Sequence, residues 1–162
     1  MKRLVPLLAA LLLLLTACGA STAAEYMAPV DAYCRALQDN DFSQLQQAMP
    51  AAVLNSEGLN AGELDELRTV FFPDVGEQYT LSARALSMEE FSPEECRELE
   101  AVLLREYACR MTVTEARQLS LKIHISGKLE GDMQMNSVVY TDGTQWYVDF
   151  SNAAVSIRSS GS

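Results

Sequence analysis

The chain contains one histidine, His124, the side chain type whose unperturbed pKa suits a base at neutral pH. With Asp132 or Asp142 beside it, it could move a proton, work that needs a base and a carboxylate within hydrogen-bond reach. Its neighbours Ser120 and Lys122 share its side of an alternating stretch, so a solvated strand position is the favoured reading. Four cysteines are present: Cys18, Cys34, Cys96 and Cys109. With Cys18 set aside, the odd remainder allows one disulfide and one free thiol, or no disulfide at all. Cys96 and Cys109 are the candidate pair, because a strand returning along the helix between them could bring them together; Cys34 falls on an apolar stripe and reads as a small core residue. No close Cys-x-x-Cys pair accompanies His124, so no metal site is expected. Glu89, Glu90, Glu94 and Glu95 cluster about the start of a helix, where acids complement the helix dipole. Neither they nor Asp39-Asn40-Asp41 fit an EF-hand, in which a glycine stands where this chain has Gln44. The chain has no Gly-x-Ser-x-Gly, phosphate loop, dinucleotide fingerprint or His-Glu-x-x-His, and no cofactor is expected.

The elements that would position these residues are readable from periodicity. Val30, Tyr33, Cys34 and Leu37 recur at helical spacing over Pro29 to Gln38. Asn40 suits a left-handed C-cap, and Asp41 with Gln44 suits the cap of a second helix, from Phe42 to about Leu54, which Pro50 kinks or ends. Asn60 and Glu63 open a short helix through Leu64, Leu67 and Val70, closed by Phe71-Phe72-Pro73. Tyr79 to Ser87 alternates as a strand, and Ser92-Pro93-Glu94-Glu95 begins a helix reaching about Arg105. In the next strand Leu119, Leu121, Ile123 and Ile125 face one way, and Gln118, Ser120, Lys122 and His124 the other. A turn follows at Gly127–Gly131, then a strand through Met133, Met135 and Val139. The Thr141-Asp142-Gly143-Thr144 turn leads into a closing strand, Gln145 to Ser151, bearing Trp146, Val148 and Phe150. The order is helices first, then a strand, a helix and an antiparallel meander: an α+β fold with N-terminal helices packed on a curved antiparallel sheet.

The 162 residues carry 12 Lys and Arg against 22 Asp and Glu, a formal charge of −10. Such a balance offers no basic patch for a polyphosphate, so nucleic acid is excluded as a partner. The basic residues Lys2 and Arg3 precede an apolar run from Leu4 to Leu15 interrupted at Pro6. As a helix this run measures about 18 Å, well short of the ~30 Å hydrocarbon thickness of a bilayer. It therefore reads as the core of a signal peptide. Leu15-Thr16-Ala17-Cys18 at its end resembles the lipobox of bacterial lipoproteins. That resemblance implies cleavage after residue 17 and diacylglyceryl transfer to Cys18. Two or three acyl chains hold a protein on a membrane stably where one does not. Residues 19–24 are small and uncharged and read as a tether of about a dozen Å. Loss of Lys2 and Arg3 with the leader takes the formal charge from −10 to −12, which discourages adhesion to an anionic surface.

The Pro29-headed helix, the Asp39-Asn40-Asp41-Phe42 turn and the ending Gly143-Thr144-Gln145-Trp146-Tyr147 resemble the NTF2-like (cystatin-like) domains of small lipoproteins from Gram-positive bacteria. The resemblance implies a cone-shaped sheet over residues 28–152, preceded by a signal peptide (1–17) and a lipidated Cys18 with its tether (18–27). Residues 153–162 are expected as a C-terminal tail. It further implies that Tyr79, His124, Tyr140 and Trp146 are candidates to line a small pocket, sheet aromatics being otherwise core partners of one another. The expected protein is a lipid-anchored, extracytoplasmic module that binds a small ligand or a protein without catalysis. The alternatives are a small hydrolase or isomerase using His124 and a carboxylate, and an accessory subunit of a membrane complex.

Overall fold

A computed structural model describes residues 25–71, 78–128, 130–150 and 156–158. The signal-peptide run, Cys18, the tether through Ala24, and Phe72-Pro73 lie outside the described residues. The helices are α1 (Ala28–Asp39), α2 (Phe42–Ala48), α3 (Ala51–Ser56), α4 (Ala61–Phe71) and α5 (Pro93–Tyr107). The strands are β1 (Thr80–Glu90), β2 (Glu115–Ser126), β3 (Gly131–Thr141), β4 (Trp146–Asp149) and β5 (Ser156–Arg158). Among the described residues four helices thus precede an antiparallel sheet with one helix inserted after its first strand, the α+β order the periodicity implies.

The helix boundaries follow from local chemistry. Asn40 ends α1 in the left-handed conformation (φ 54°), which a short polar side chain tolerates. Asp41 then accepts from the Ser43 N–H at 2.9 Å to cap α2. Pro50 lacks an N–H to continue α2 and instead begins α3. Asn60 Oδ1 accepts from the N–H groups of Gly62 and Glu63 at the head of α4. At α5 the Ser92 Oγ accepts from the Glu95 N–H at 3.3 Å while Glu95 Oε2 takes the Ser92 N–H at 2.7 Å. This reciprocal cap contributes about 0.5–2 kcal/mol.

Strands β1, β2, β3 and β4 neighbour one another in that order, all antiparallel. The β2–β3 register is uninterrupted, with His124 opposite Asp132, Leu121 opposite Met135 and Ala116 opposite Tyr140. On one face Leu119, Leu121, Ile123, Val139 and Val148 are all buried, and α1 crosses that face from β1 to β4. Val30, Cys34 and Leu37 of α1 are buried in the same core, each large apolar side chain there contributing roughly 1.5–3 kcal/mol. The opposite face is covered at one end, where Ala116 and Tyr140 are buried beside Cys96, Tyr107 and Cys109 of α5 and its exit. Farther along that face Gln134, Asn136 and His124 are exposed. Gly127 just past β2 makes a close approach: a Cβ there would lie 3.0 Å from the Gln78 carbonyl and 3.1 Å from Tyr79 Cβ, so those neighbours would have to give way.

Three boundaries differ from the sequence reading. β1, expected to end at Ser87, runs on to Glu90 past a bulge between Ala85 and Ser87, so Glu89 and Glu90, which precede the helix as expected, sit on a strand. Only Glu94 and Glu95 occupy the first turn of α5. Part of the expected C-terminal tail is strand β5, which pairs with β3 on the same edge as β4.

Candidate functional site

His124, Lys122 and Asp132 meet on the uncovered part of the sheet. The pairing of β2 with β3 sets His124 directly opposite Asp132, and Lys122 projects from the same face two residues away. His124 Nδ1 lies 3.0 Å from Asp132 Oδ1, and Lys122 Nζ lies 2.6 Å from Asp132 Oδ2. These two bonds, that from Lys122 foremost, hold the Asp132 carboxyl below its ordinary value. An ionised carboxylate only accepts, so His124 donates to it from Nδ1. The His124 side chain is 48 % exposed, which places the triad in water, where charge interactions are screened. Of the two carboxylates considered for His124, Asp132 is the partner. Asp142 instead caps its own turn, accepting from the N–H groups of Thr144 and Gln145 at 2.8 and 3.1 Å.

A second cluster lies where the chain enters the domain. The Arg117 guanidinium sits 4.8 Å from the Tyr26 ring centroid and 5.0 Å from that of Trp146. Glu90 and Glu115 pair with the same guanidinium at 3.6 and 3.2 Å. Stacking of this kind contributes about 0.5–2 kcal/mol per ring, more as water is excluded, and the Arg117 side chain is 13 % exposed. The clamp ties Tyr26 to β2 and β4. Beside it a cleft of about 560 Å³ opens between α1, α2 and the β3–β4 turn, with Arg35, Gln47, Thr144, Gln145 and Trp146 among its walls. Gln145 Nε2 donates to the Gln47 carbonyl at 2.7 Å, fastening the turn to α2. Gly143, at φ +91°, gives that turn its shape.

The four residues singled out as pocket lining do not converge. Trp146 lies on the helix-covered face and alone of the four lines the cleft. Tyr140 is buried on the opposite face, near Tyr147 and under the exit of α5. His124 shares that face but stands about eight residues along the β-ladder, roughly 26 Å away at the strand rise. Tyr79, just ahead of β1, is buried and donates its hydroxyl to the Leu37 carbonyl at 2.8 Å. Strand alternation and the placement of α5 separate them. Neither this cleft nor the two smaller ones beside α5 includes His124. Among the described residues no three His, Cys, Asp or Glu side chains stand close enough to hold a metal ion.

The candidate disulfide is absent: Cys34, Cys96 and Cys109 are free thiols, all buried. Cys96 is near the start of α5 and Cys109 just beyond its end, so the helical rise sets them roughly 20 Å apart, against a limit of about 7 Å for a bridge. The returning strand begins at Glu115, after Cys109, and so does not carry that residue back along the helix. Burial pushes the Cys34 thiol up to about 12 and raises those of Cys96 and Cys109. A thiol-specific colour reagent at pH 8 is therefore expected to react slowly with the native domain and fully in guanidinium. Rapid reaction in the folded state would contradict the placement of these cysteines.

Arg35, Gln47 and Arg117 went unnoticed in the sequence because no local spacing marks them. The His124–Asp132 pair did leave a signal: each stands four residues from Lys128, which lies within the Gly127–Gly131 turn. No protein-family model, curated protein or solved structure matches the chain.

Proposed function

We propose that the protein is an extracytoplasmic bacterial lipoprotein held on the membrane through Cys18, with an NTF2-like domain that binds a ligand or partner without catalysis. The observation that carries this reading is Leu15-Thr16-Ala17-Cys18 at the end of a basic-headed apolar run. The arrangement of the domain agrees with it. The described fold starts at Glu25, which leaves the small, uncharged residues 19–24 as spacer. Among the described residues no helix is long and apolar enough to cross a membrane, so retention rests on the lipid. The cleft by Trp146 suits a small polar ligand, with Arg35, Thr144 and the amides of Gln47 and Gln145 supplying a cation, donors and acceptors. The NTF2-like assignment is supported by helices laid across one face of an antiparallel meander. Intact-mass measurement on the mature protein tests the anchor: a chain beginning at a diacylglyceryl-modified Cys18 is expected, and a bare thiol there overturns it.

A catalytic reading rests on one specific observation, the 3.0 Å contact between His124 and Asp132. In it, Asp132 orients the imidazole and Nε2 acts as the base of a small hydrolase or isomerase. The open, solvated face around the pair disfavours this, because a general base gains most where water is excluded. If any turnover is found, His124→Ala must lower it at least about a hundredfold for this reading to stand. Unchanged turnover removes it.

A further inference from the structure

Strand β1 is one edge of the sheet; among the described residues it pairs with β2 alone. It carries Leu86 and Met88, exposed by 45 % and 44 %, side chains that soluble surfaces leave open less often than they cover. The backbone groups available on this edge can be identified. In an antiparallel pair, alternate residues direct their N–H and C=O toward the partner strand, and those between direct them away. The Leu81 N–H points away from β2, because Gln38 Oε1 accepts it at 3.1 Å. The Phe91 N–H points inward, to the Ala116 carbonyl at 2.9 Å. Stepping by twos from Leu81 to the bulge makes Ala83 and Ala85 outward residues. Stepping back from Phe91 makes Glu90 and Met88 outward as well.

We propose that two copies of the chain join antiparallel along β1, making one continuous sheet through a two-fold axis between Leu86 and Ser87. One register sets every outward residue opposite another: Ala83 of one copy faces Glu90 of the other, and Ala85 faces Met88. Face and charge agree with it independently. Arg84 then lies opposite Glu89, and β1–β2 pairing with Lys122 and Gln118 assigns both to the open face. Ala85 and Met88, paired with Leu121 and Leu119, both belong to the helix-covered face, so the exposed Met88 packs on Ala85. Each contact occurs twice by symmetry. The ends agree too. In this register Leu81 falls opposite Ser92, and both N–H groups are already taken within the chain, by Gln38 and by Glu95. The free stretch Ala83–Glu90 is therefore symmetric about the same axis.

Bulges and charges ordinarily blunt a sheet edge. Here the bulge sits at the axis, where it meets its own copy, and the charges are complementary rather than repulsive. The dimer does not depend on the lipid anchor, although confinement to a membrane would favour it. The test is sedimentation equilibrium of the full chain in density-matched mild detergent over a wide concentration range. The wild type is expected to be dimeric. Arg84→Glu and Glu89→Arg are each expected to weaken the dimer roughly tenfold, since each sets like charges opposite one another twice. Both side chains are exposed, and the combined variant Arg84→Glu with Glu89→Arg is expected to regain the wild-type affinity. A monomeric wild type overturns the proposal. So does a dimer unmoved by either single change, or a double variant that fails to recover.

Discussion

Replacing Leu121 with Ala is expected to lower the unfolding free energy by about 2–5 kcal/mol, the range for removing a buried leucine without refilling its space. Leu121 is fully buried and occupies the middle of the central strand pair, with Ala85 opposite on one side and Met135 on the other. Neither neighbour is well suited to close the gap: Ala85 has no further atoms to move, and Met135 is itself buried. A domain of this size has a total stability of about 5–15 kcal/mol, so the change would remove a large share of it. Urea unfolding followed by far-ultraviolet circular dichroism measures the effect. Gln134→Ala is the control, being exposed on the opposite face of the same sheet, and is expected to stay within about 0.5 kcal/mol of wild type. Similar losses at both positions would mean that the two faces are wrongly assigned.

Cys18→Ala is expected to abolish lipid attachment altogether. The argument is chemical: in the proposed reading the Cys18 thiolate accepts the diacylglyceryl group, and no other side chain in residues 1–24 offers a thiol. Each buried methylene contributes about 0.8 kcal/mol to membrane retention, so on the proposed anchoring the loss of two acyl chains would remove the dominant attachment. The domain itself supplies no electrostatic substitute, with acids outnumbering bases along the chain. Labelled palmitate fed to a bacterium expressing the chain should enter the wild type and be absent from the variant. By mass the wild type should begin at Cys18, whereas the variant should retain residues 1–17. Equal labelling of both would show that the motif is not the acceptor.

Some features were legible because they depend on neighbours along the chain. The Ser92–Glu95 cap, the left-handed Asn40, the break at Pro50 and the alternation of Leu119 to Ile125 all arise from interactions within a few residues. The face of β2 that bears His124 belongs with them, since strand parity assigns it without further information. Where the reading failed, distant packing decided the outcome. Cys96 and Cys109 looked bridgeable because the length of the connection after α5 was not apparent; seven residues, Ala108 to Thr114, lie outside regular structure before the strand begins at Glu115. Tyr140 and Trp146 looked like common pocket lining because alternation alone does not say which end of a face a helix will cover. The stretch assigned as tail contributes β5, since pairing with β3 is a contact between segments far apart in sequence.

Residue order by itself therefore determined the α+β class, the capping residues and the two faces of β2, since these follow from periodicity, capping and side-chain type. Tertiary structure alone decided that Arg117 is clamped between Tyr26 and Trp146, that the cleft opens beside α1, and that β1 is a sheet edge among the described residues. The physical reason is that local rules act over a turn or a pleat. Which surfaces end up covered is set by the joint burial of apolar faces across the whole domain.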